Sequence, residues 1–146
     1  MRAVMGKINW TRVFLGGLLA GVVLIILGYI TSAIYLRDIL DPEFAAIGLP
    51  VQQTIGFQTF WIVFNLISGI LAIWIYSAIR PRYGAGPKTA ICAGLTVWAL
   101  QGLSYDVISA SFGLFQAKAV IADALTTLVM YVVATLVGAW IYKEQE

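Results

Sequence analysis

The stretch that decides the fold runs from Val13 to Leu36 and reads VFLGGLLAGVVLIILGYITSAIYL. It holds 24 residues without a charge, and a helix needs about 20 residues to cross a hydrocarbon core. Its apolar segment is about twice as long as that of a typical signal peptide, and TSAIYLRD offers no clean small-x-small cleavage site. The stretch therefore predicts a transmembrane helix that is retained in the protein.

Three further apolar runs, at residues 55–79, 88–110 and 114–142, predict three more spans. The last two contain Asp106 and Asp123, at depths where a carboxyl group still reaches water. Across the chain 61% of residues are hydrophobic and 11% are charged, whereas soluble proteins carry about 25% charged residues. The mean hydropathy is +0.91. The sequence predicts an all-α integral membrane protein, in which one four-helix transmembrane domain covers residues 1–146.

Basic residues mark one end of the predicted bundle. The connection between the second and third spans carries Arg80, Arg82 and Lys88, whereas the connection between the first and second carries Arg37 against several acids. Lysine and arginine favour the cytoplasmic side, so both termini are expected to be cytoplasmic. The N-terminal flank adds the same signal through Arg2, Lys7 and Arg12.

The outer connection DPEFAAIGLP, residues 41–50, predicts a short interfacial helix over about residues 41–47. Asp41 suits its N-cap and Pro42 its first helical position. Gly48 suits the left-handed residue after the last turn, and Pro50 prevents continuation. Two interpretations stay open, a linker lying on lipid headgroups and a lid over a ligand.

The inner connection IRPRYGAGPKTA, residues 79–90, superficially resembles a phosphate-binding loop. Such a loop needs glycine directly before the lysine and again five positions earlier, where this chain has Pro87 and Arg82. A turn accounts for the residues better, since Pro81 stops one helix and Pro87 opens the next. The basic residues then act as topology anchors that bind anionic lipid headgroups.

The segment WIYSAIRPRYGAGPKTAICAGLTVW, residues 74–98, and the closing ATLVGAWIYKE, residues 134–144, carry a resemblance. They resemble a group of small four-span bacterial proteins of unknown role, with the loop pattern AIRPRxGxGPKTA as the shared feature. The resemblance implies a multi-pass protein of the bacterial inner membrane and implies no activity.

Two short motifs occur twice along the chain. Trp74-Ile75-Tyr76 returns as Trp140-Ile141-Tyr142, and Ala20-Gly21 returns as Ala93-Gly94, at offsets of 66 and 73 residues. The pattern indicates two tandem helical hairpins related by an axis along the membrane normal. Chance together with shared membrane-edge chemistry is the alternative.

Small residues recur on one face of each predicted span, which favours close helix packing. They serve either the packing of this bundle or the docking of a partner helix. The helix-packing glycines are Gly17, Gly21, Gly69, Gly94 and Gly138.

Four polar side chains form a candidate intramembrane cluster: Asp106, Lys118, Asp123 and Asn65. The spacing about the third turn predicts an Asp106–Lys118 ion pair that fixes the hairpin. The alternative is a proton or cation site in which Asp123 titrates. For Asn65 the expectation is a hydrogen bond to another helix, with contact to a solute as the alternative.

The chain has few of the residue types that usually carry catalysis. The chain has no histidine and a single cysteine, Cys92, which argues against an enzyme, a cofactor and a metal centre. Two functions remain. The first is a structural or accessory subunit of a larger membrane assembly, for example a respiratory or photosynthetic complex. The second is a small oligomeric transporter or channel for a proton, cation or small solute. The expected partners are the lipid bilayer and other membrane subunits or further copies of the chain, without nucleic acid.

Overall fold

The computed structural model describes residues 7–49 and 54–144, and this part of the chain contains four helices long and apolar enough to span a membrane. The helices are α1 (Trp10–Ala46), α2 (Ile55–Tyr83), α3 (Pro87–Ser111) and α4 (Ala117–Trp140). Their bounds confirm the all-α fold and the number of candidate spans. The differences from the sequence prediction lie at the helix ends.

The predicted separate helix over residues 41–47 is wrong, because α1 continues through a π-helical turn at Ser32–Leu36 to Ala46. Pro42 lies inside this continuation rather than at a helix start. Asp41 is not a cap and instead lies 4.0 Å from the Arg37 guanidinium one turn earlier. No glycine or proline lies between Leu36 and Pro42, and Pro42 disturbs only the backbone bond to the carbonyl four residues earlier, so the helix continues to Ala46.

The extension ends where the sequence places a turn. Gly48 has φ 75°, and the backbone N–H of Leu49 donates to the Phe44 carbonyl at 2.9 Å. This satisfies a carbonyl that the helix end would otherwise leave free. Pro50 and Arg2, which also entered the sequence prediction, lie outside the described residues.

The α2–α3 turn differs in one detail from its prediction. Pro81 does not stop α2, which runs two residues further to Tyr83. The helix ends at Gly84, whose φ is 84° and whose N–H donates to the Arg80 carbonyl at 2.8 Å. Pro87 then opens α3 at its first turn, as the sequence predicts.

The helices pack as a ring in chain order, with α2 and α4 meeting across the shorter diagonal. The centre is occupied by side chains that are almost fully buried, among them Leu24, Ile73 and Val97. Many outward-facing side chains are large and apolar, as expected where the surroundings are hydrocarbon.

Glycines set how closely α1 and α2 approach. A Cβ atom on Gly69 would overlap the Gly17 carbonyl oxygen and come within 2.8 Å of the Gly21 Cα. A Cβ atom on Gly21 would in turn lie 2.7 Å from the Leu66 Cα. The two backbones are therefore in direct contact, which any side chain at these positions prevents.

The other two predicted packing glycines also lie at helix crossings. A Cβ atom on Gly138 of α4 would come 2.5 Å from the Gly16 carbonyl oxygen of α1. On Gly94 of α3 it would come 3.0 Å from both the Thr135 hydroxyl and the Tyr131 carbonyl of α4. In this structure all five glycines face helices of the same chain.

The segment after α4, residues 141–144, contacts the start of α1 and the last turns of α2. The rings of Tyr76 and Tyr142, the last residues of the two Trp-Ile-Tyr motifs, meet edge to face with centroids 5.8 Å apart. The Arg80 guanidinium lies 5.4 Å above the Tyr142 ring and 3.7 Å from the Glu144 carboxylate. The Asn9 N–H donates to the Tyr142 hydroxyl at 3.4 Å.

Candidate intramembrane carboxyl site

Asp106 and Asp123 lie at the same level on neighbouring helices. The turn between α3 and α4 reverses the chain at residues 112–116, with Gly113 at φ 64°. Asp106 is five residues before the end of α3, and Asp123 is six residues after the start of α4. At 1.5 Å per residue these offsets are about 8 and 9 Å. Both carboxyl groups therefore lie well below the helix ends.

The two carboxyl groups are direct neighbours. Asp106 is 2% exposed, Asp123 is half-buried, and their side chains lie within hydrogen-bonding reach of each other. Within the described residues the Asp106 Oδ2 atom is buried without any hydrogen-bond partner. Such an atom is costly unless it carries or accepts a proton.

The predicted Asp106–Lys118 ion pair is absent. Lys118 is exposed, and the ion pairs found among the described residues are Arg37–Asp41 and Arg80–Glu144. Lys118 and Asp123 are five residues apart on α4, which places them about 140° apart around a helix. Since Asp123 faces α3, Lys118 points away from it.

A turn of π-helix at residues 99–103 aligns the polar face of α3. Trp98 precedes this turn and Asp106 follows it, and both face α4. In a regular helix these two residues would be about 80° apart, and absorbing one extra residue reduces the angle to about 20°. The Ser104 hydroxyl donates to the Ala99 carbonyl at 2.8 Å and so satisfies an acceptor in the widened turn.

Trp98 connects α3 to α4 below the carboxyl pair. Its indole Nε1 donates to the Ala124 carbonyl at 3.1 Å and to the Thr127 hydroxyl at 3.2 Å. Gly102 leaves room for the ring, because a Cβ atom there would lie 3.1 Å from the indole Cδ1.

A second polar contact lies deeper in the bundle. The Tyr131 hydroxyl, on a side chain 6% exposed, donates to the Gln101 Oε1 at 2.9 Å. The Ser68 hydroxyl of α2 is also buried, and it donates to the Phe64 carbonyl of its own helix at 2.8 Å. Sequence reasoning missed Ser68, although it lies three residues after Asn65 and so shares its helix face.

Asn65 does not make the predicted bond to another helix. Its side-chain N–H₂ donates to the Trp61 carbonyl of its own helix at 2.8 Å. This bond to the carbonyl four residues earlier uses one amide N–H within the same helix, and among the described residues Asn65 makes no side-chain hydrogen bond to another helix. Its contribution to packing is through the backbone, whose carbonyl lies beside Gly21.

The extension of α1 covers the end of the site that lies next to the α3–α4 turn. The Glu43 carboxylate accepts a hydrogen bond from the Gln116 N–H at the start of α4, at 2.9 Å. The Phe44 and Phe115 rings meet edge to face at 5.0 Å, and Phe115 lies 6.4 Å from the ring of Tyr105. Tyr105 directly precedes Asp106 on α3.

The basic anchors lie at the opposite end of the bundle. Arg82 and Lys88 are exposed at the α2–α3 turn, and Arg80 is half-buried against the C-terminal segment. In the described part of the chain no group of three or more His, Cys, Asp or Glu residues is arranged to hold a metal ion. The carboxyl pair is therefore the candidate site.

No protein family, curated protein or solved structure matches this chain. The function has to follow from the geometry of the site itself. Two adjacent carboxyl groups, one of them buried with an unused oxygen, can bind a proton or another cation.

Proposed function

We propose that the protein is a non-catalytic transporter of a proton or another small cation, with Asp106 and Asp123 as its binding site. The observation that supports this most is the buried Asp106 Oδ2, which lacks a partner beside a second carboxyl group. A charged residue in a membrane span costs about 3 kcal/mol at the helix centre. An arrangement that places two acids together without a paired cation is therefore typical of an ion-binding site.

The test is ion flux into vesicles that contain the full-length protein. Vesicles are loaded with a pH-sensitive or a sodium-sensitive dye, and a potassium gradient with valinomycin sets the membrane potential. Wild type is compared with Asp106→Asn, with Asp123→Asn and with Asp38→Asn, an exposed carboxyl on the α1 extension. We expect cation entry with wild type and Asp38→Asn, and at least a tenfold loss with either of the other variants.

Two results would refute the transport function. The first is that neither dye reports more cation entry into wild-type vesicles than into protein-free vesicles. The other is equal flux in Asp106→Asn and wild type. Circular dichroism and gel filtration of each variant in detergent show whether a loss of flux reflects a loss of fold.

The inner half of the bundle is closed below the site. Leu24, Ile73 and Val97 fill the centre and are at most 2% exposed. Passage across the membrane therefore requires these helices to separate or further copies of the chain to complete a pathway, which is why we propose an oligomer. Native mass measurement after mild extraction counts the copies.

A second candidate is an accessory subunit docked in a larger membrane assembly. Four aromatic side chains on α2 are packed edge to face or stacked on one another, and several are more than 40% exposed. Such a row is suited to packing against another transmembrane helix. Its members are Phe57, Phe60, Trp61 and Phe64.

The accessory function predicts co-purification with unrelated membrane proteins after mild detergent extraction. The double substitution Phe60→Ala and Trp61→Ala would then release them, whereas Asp106→Asn would not. A homo-oligomer alone, unchanged by the aromatic substitutions, would exclude this candidate.

We also propose that the protein lies in the bacterial inner membrane with both termini in the cytoplasm. The exposed Arg82 and Lys88 at the α2–α3 turn support this orientation. The test uses a Cys92→Ala background with Ala85→Cys or Leu114→Cys. A membrane-impermeant maleimide should label position 114 in intact spheroplasts and position 85 only after lysis, and the reverse pattern would overturn the orientation.

Finally, we propose that the two hairpins arose by duplication. Gly21 contacts the Asn65 carbonyl and the Leu66 Cα, and Gly94 contacts the equivalent atoms of Tyr131 and Val132. These pairs obey the 73- and 66-residue offsets of the repeated motifs. Two fragments divided at the α2–α3 turn should then reassemble when co-expressed, and failure of each fragment to bind the other would count against two self-contained hairpins.

A further inference from the structure

The groups that face the carboxyl pair are neutral or acidic. On α3 the neighbours of Asp106 are Tyr105 and Ser109, and the Ser109 side chain is 2% exposed. On α4 the titratable side chains on either side of Asp123 are Lys118, which is exposed and points away, and Tyr131 two turns further along. No lysine or arginine of the described residues forms an ion pair with either carboxyl group.

The helices packed against α3 and α4 add no positive charge at this level. On α2 the buried Ser68 is uncharged and donates to the Phe64 carbonyl of its own helix at 2.8 Å. On α1 the hydroxyl of Tyr35 bonds to that of Thr126, and Glu43 is held by the Gln116 N–H. Any positive charge at the site must therefore come from a bound ligand.

The site offers a metal cation two acidic side chains. Ca²⁺ takes six to eight oxygen ligands and Mg²⁺ keeps several waters, and the described residues contain no cluster of three acidic side chains. The Thr126 and Thr127 hydroxyls donate their hydrogen atoms to carbonyls of their own helix at 2.6 and 2.8 Å, so these hydrogens are not available to the carboxyl pair. A proton needs no such shell, because two carboxyl oxygens are enough to hold it.

We infer that the cation bound at this site is a proton, shared between Asp106 and Asp123 so that the pair carries a single negative charge. This inference rests on the proposed transport function for its physiological meaning. The Asp106 oxygen that lacks a partner then forms a carboxyl–carboxylate hydrogen bond, which is among the strongest available to neutral or singly charged groups. Release of the proton leaves two adjacent negative charges in a low-dielectric environment, so deprotonation and movement of the helices are coupled.

The π-helical turn supports the sharing of one proton. It brings Asp106 onto the face of α3 that Trp98 ties to α4, so the two carboxyl groups are held together rather than apart. Like charges left free to separate would do so. A geometry that forces two acids into contact is stable only when one of them is neutral.

The experiment is infrared difference spectroscopy of the full-length protein in lipid nanodiscs. A protonated carboxyl group absorbs at higher frequency than the amide bands and shifts downwards in heavy water. At neutral pH, where an aspartate in water is ionised, we expect one such band in wild type and in Asp38→Asn. It should be lost in both Asp106→Asn and Asp123→Asn, since a single remaining carboxyl has no second acid with which to share a proton.

Three outcomes overturn the inference: no protonated-carboxyl band in wild type, a band that survives both substitutions, or a band that disappears when sodium replaces choline. The first and third are read from wild type alone and do not depend on how a variant folds. A band without any ion flux would refute the transport function and leave the shared proton in place. Sodium flux that depends on Asp106, without the band, would retain transport and refute the proton.

Discussion

Substitution of Gly69 by alanine gives the sharpest test of how this bundle is held together. The added methyl group would overlap the Gly17 carbonyl oxygen and lie 2.8 Å from the Gly21 Cα. Both contacts are with backbone, so no side chain can rotate away, and α1 and α2 must separate by roughly 1 Å, a gap that forfeits a quarter to a half of each atom-pair attraction. A crossing with on the order of 40 atom pairs at about 0.15 kcal/mol each would then lose about 2 kcal/mol.

Gly56 provides the matched control. It lies in the same helix, and a Cβ atom there meets nothing within 4 Å. Alanine is the better helix former by about 1 kcal/mol inside a helix, a gain that applies to Gly69 and only in part to Gly56 in the first turn. We therefore expect Gly56→Ala to be neutral or slightly stabilising, and Gly69→Ala to be less stable than Gly56→Ala by about 1 to 2 kcal/mol.

The assay is reversible unfolding in mixed micelles with a rising mole fraction of sodium dodecyl sulfate, followed by circular dichroism. The quantity compared is the difference in free energy of unfolding between the two alanine variants. Equal stabilities would refute the reasoning, because they would mean that α1 and α2 do not meet through glycine backbone. A lower stability in Gly56→Ala would refute it as well.

Three further substitutions test individual contacts. Tyr131→Phe removes the donor to Gln101 and should lower the free energy of unfolding by about 0.6 to 1 kcal/mol in the same micelle assay; no change would mean that the bond is not formed. Glu43→Ala should speed hydrogen exchange of the Gln116 amide at the start of α4, because this N–H loses its acceptor. Glu43→Gln keeps a side-chain oxygen and should not speed it. Equal exchange rates in the two variants would contradict this. Gly113 has φ 64°, so Gly113→Ala should lower the free energy of unfolding by about 1 to 2 kcal/mol, and Gly113→Asn by less, since asparagine tolerates this conformation better. An alanine variant as stable as wild type in the micelle assay would contradict this.

The difference between sequence and structure at the outer loop has a simple cause. Asp41 and Pro42 are good residues for starting a helix, but a helix that has already begun can continue through them, at the cost of one backbone hydrogen bond at the proline. No glycine or proline separates them from the first span, so α1 continues to Ala46. Whether a helix stops depends on the hydrogen bonds available beyond its end, here the one from the Leu49 N–H to the Phe44 carbonyl.

At the carboxyl site the sequence predicted the important residues but not which of them meet. The sequence identified both Asp106 and Asp123 as costly residues in the membrane, but the expected partner of Asp106 was Lys118. The π-helical turn at residues 99–103 and the orientation of α4 decide the partner instead. A single extra residue in one turn rotates everything after it, and no pattern in the residues of that segment announces the change.

The sequence by itself determined that the helices are apolar enough to span a membrane, how many of them there are and where the packing glycines lie. Each of these follows from local composition and spacing. Only the tertiary structure decided which polar groups meet, that α1 reaches over the outer end of α4, and that Asn65 bonds within its own helix. The physical reason is that burial in lipid depends on the sum of side-chain transfer energies along a segment. Pairing between helices depends instead on rotation and depth, which change by tens of degrees with one residue and are set only when all four helices are packed together.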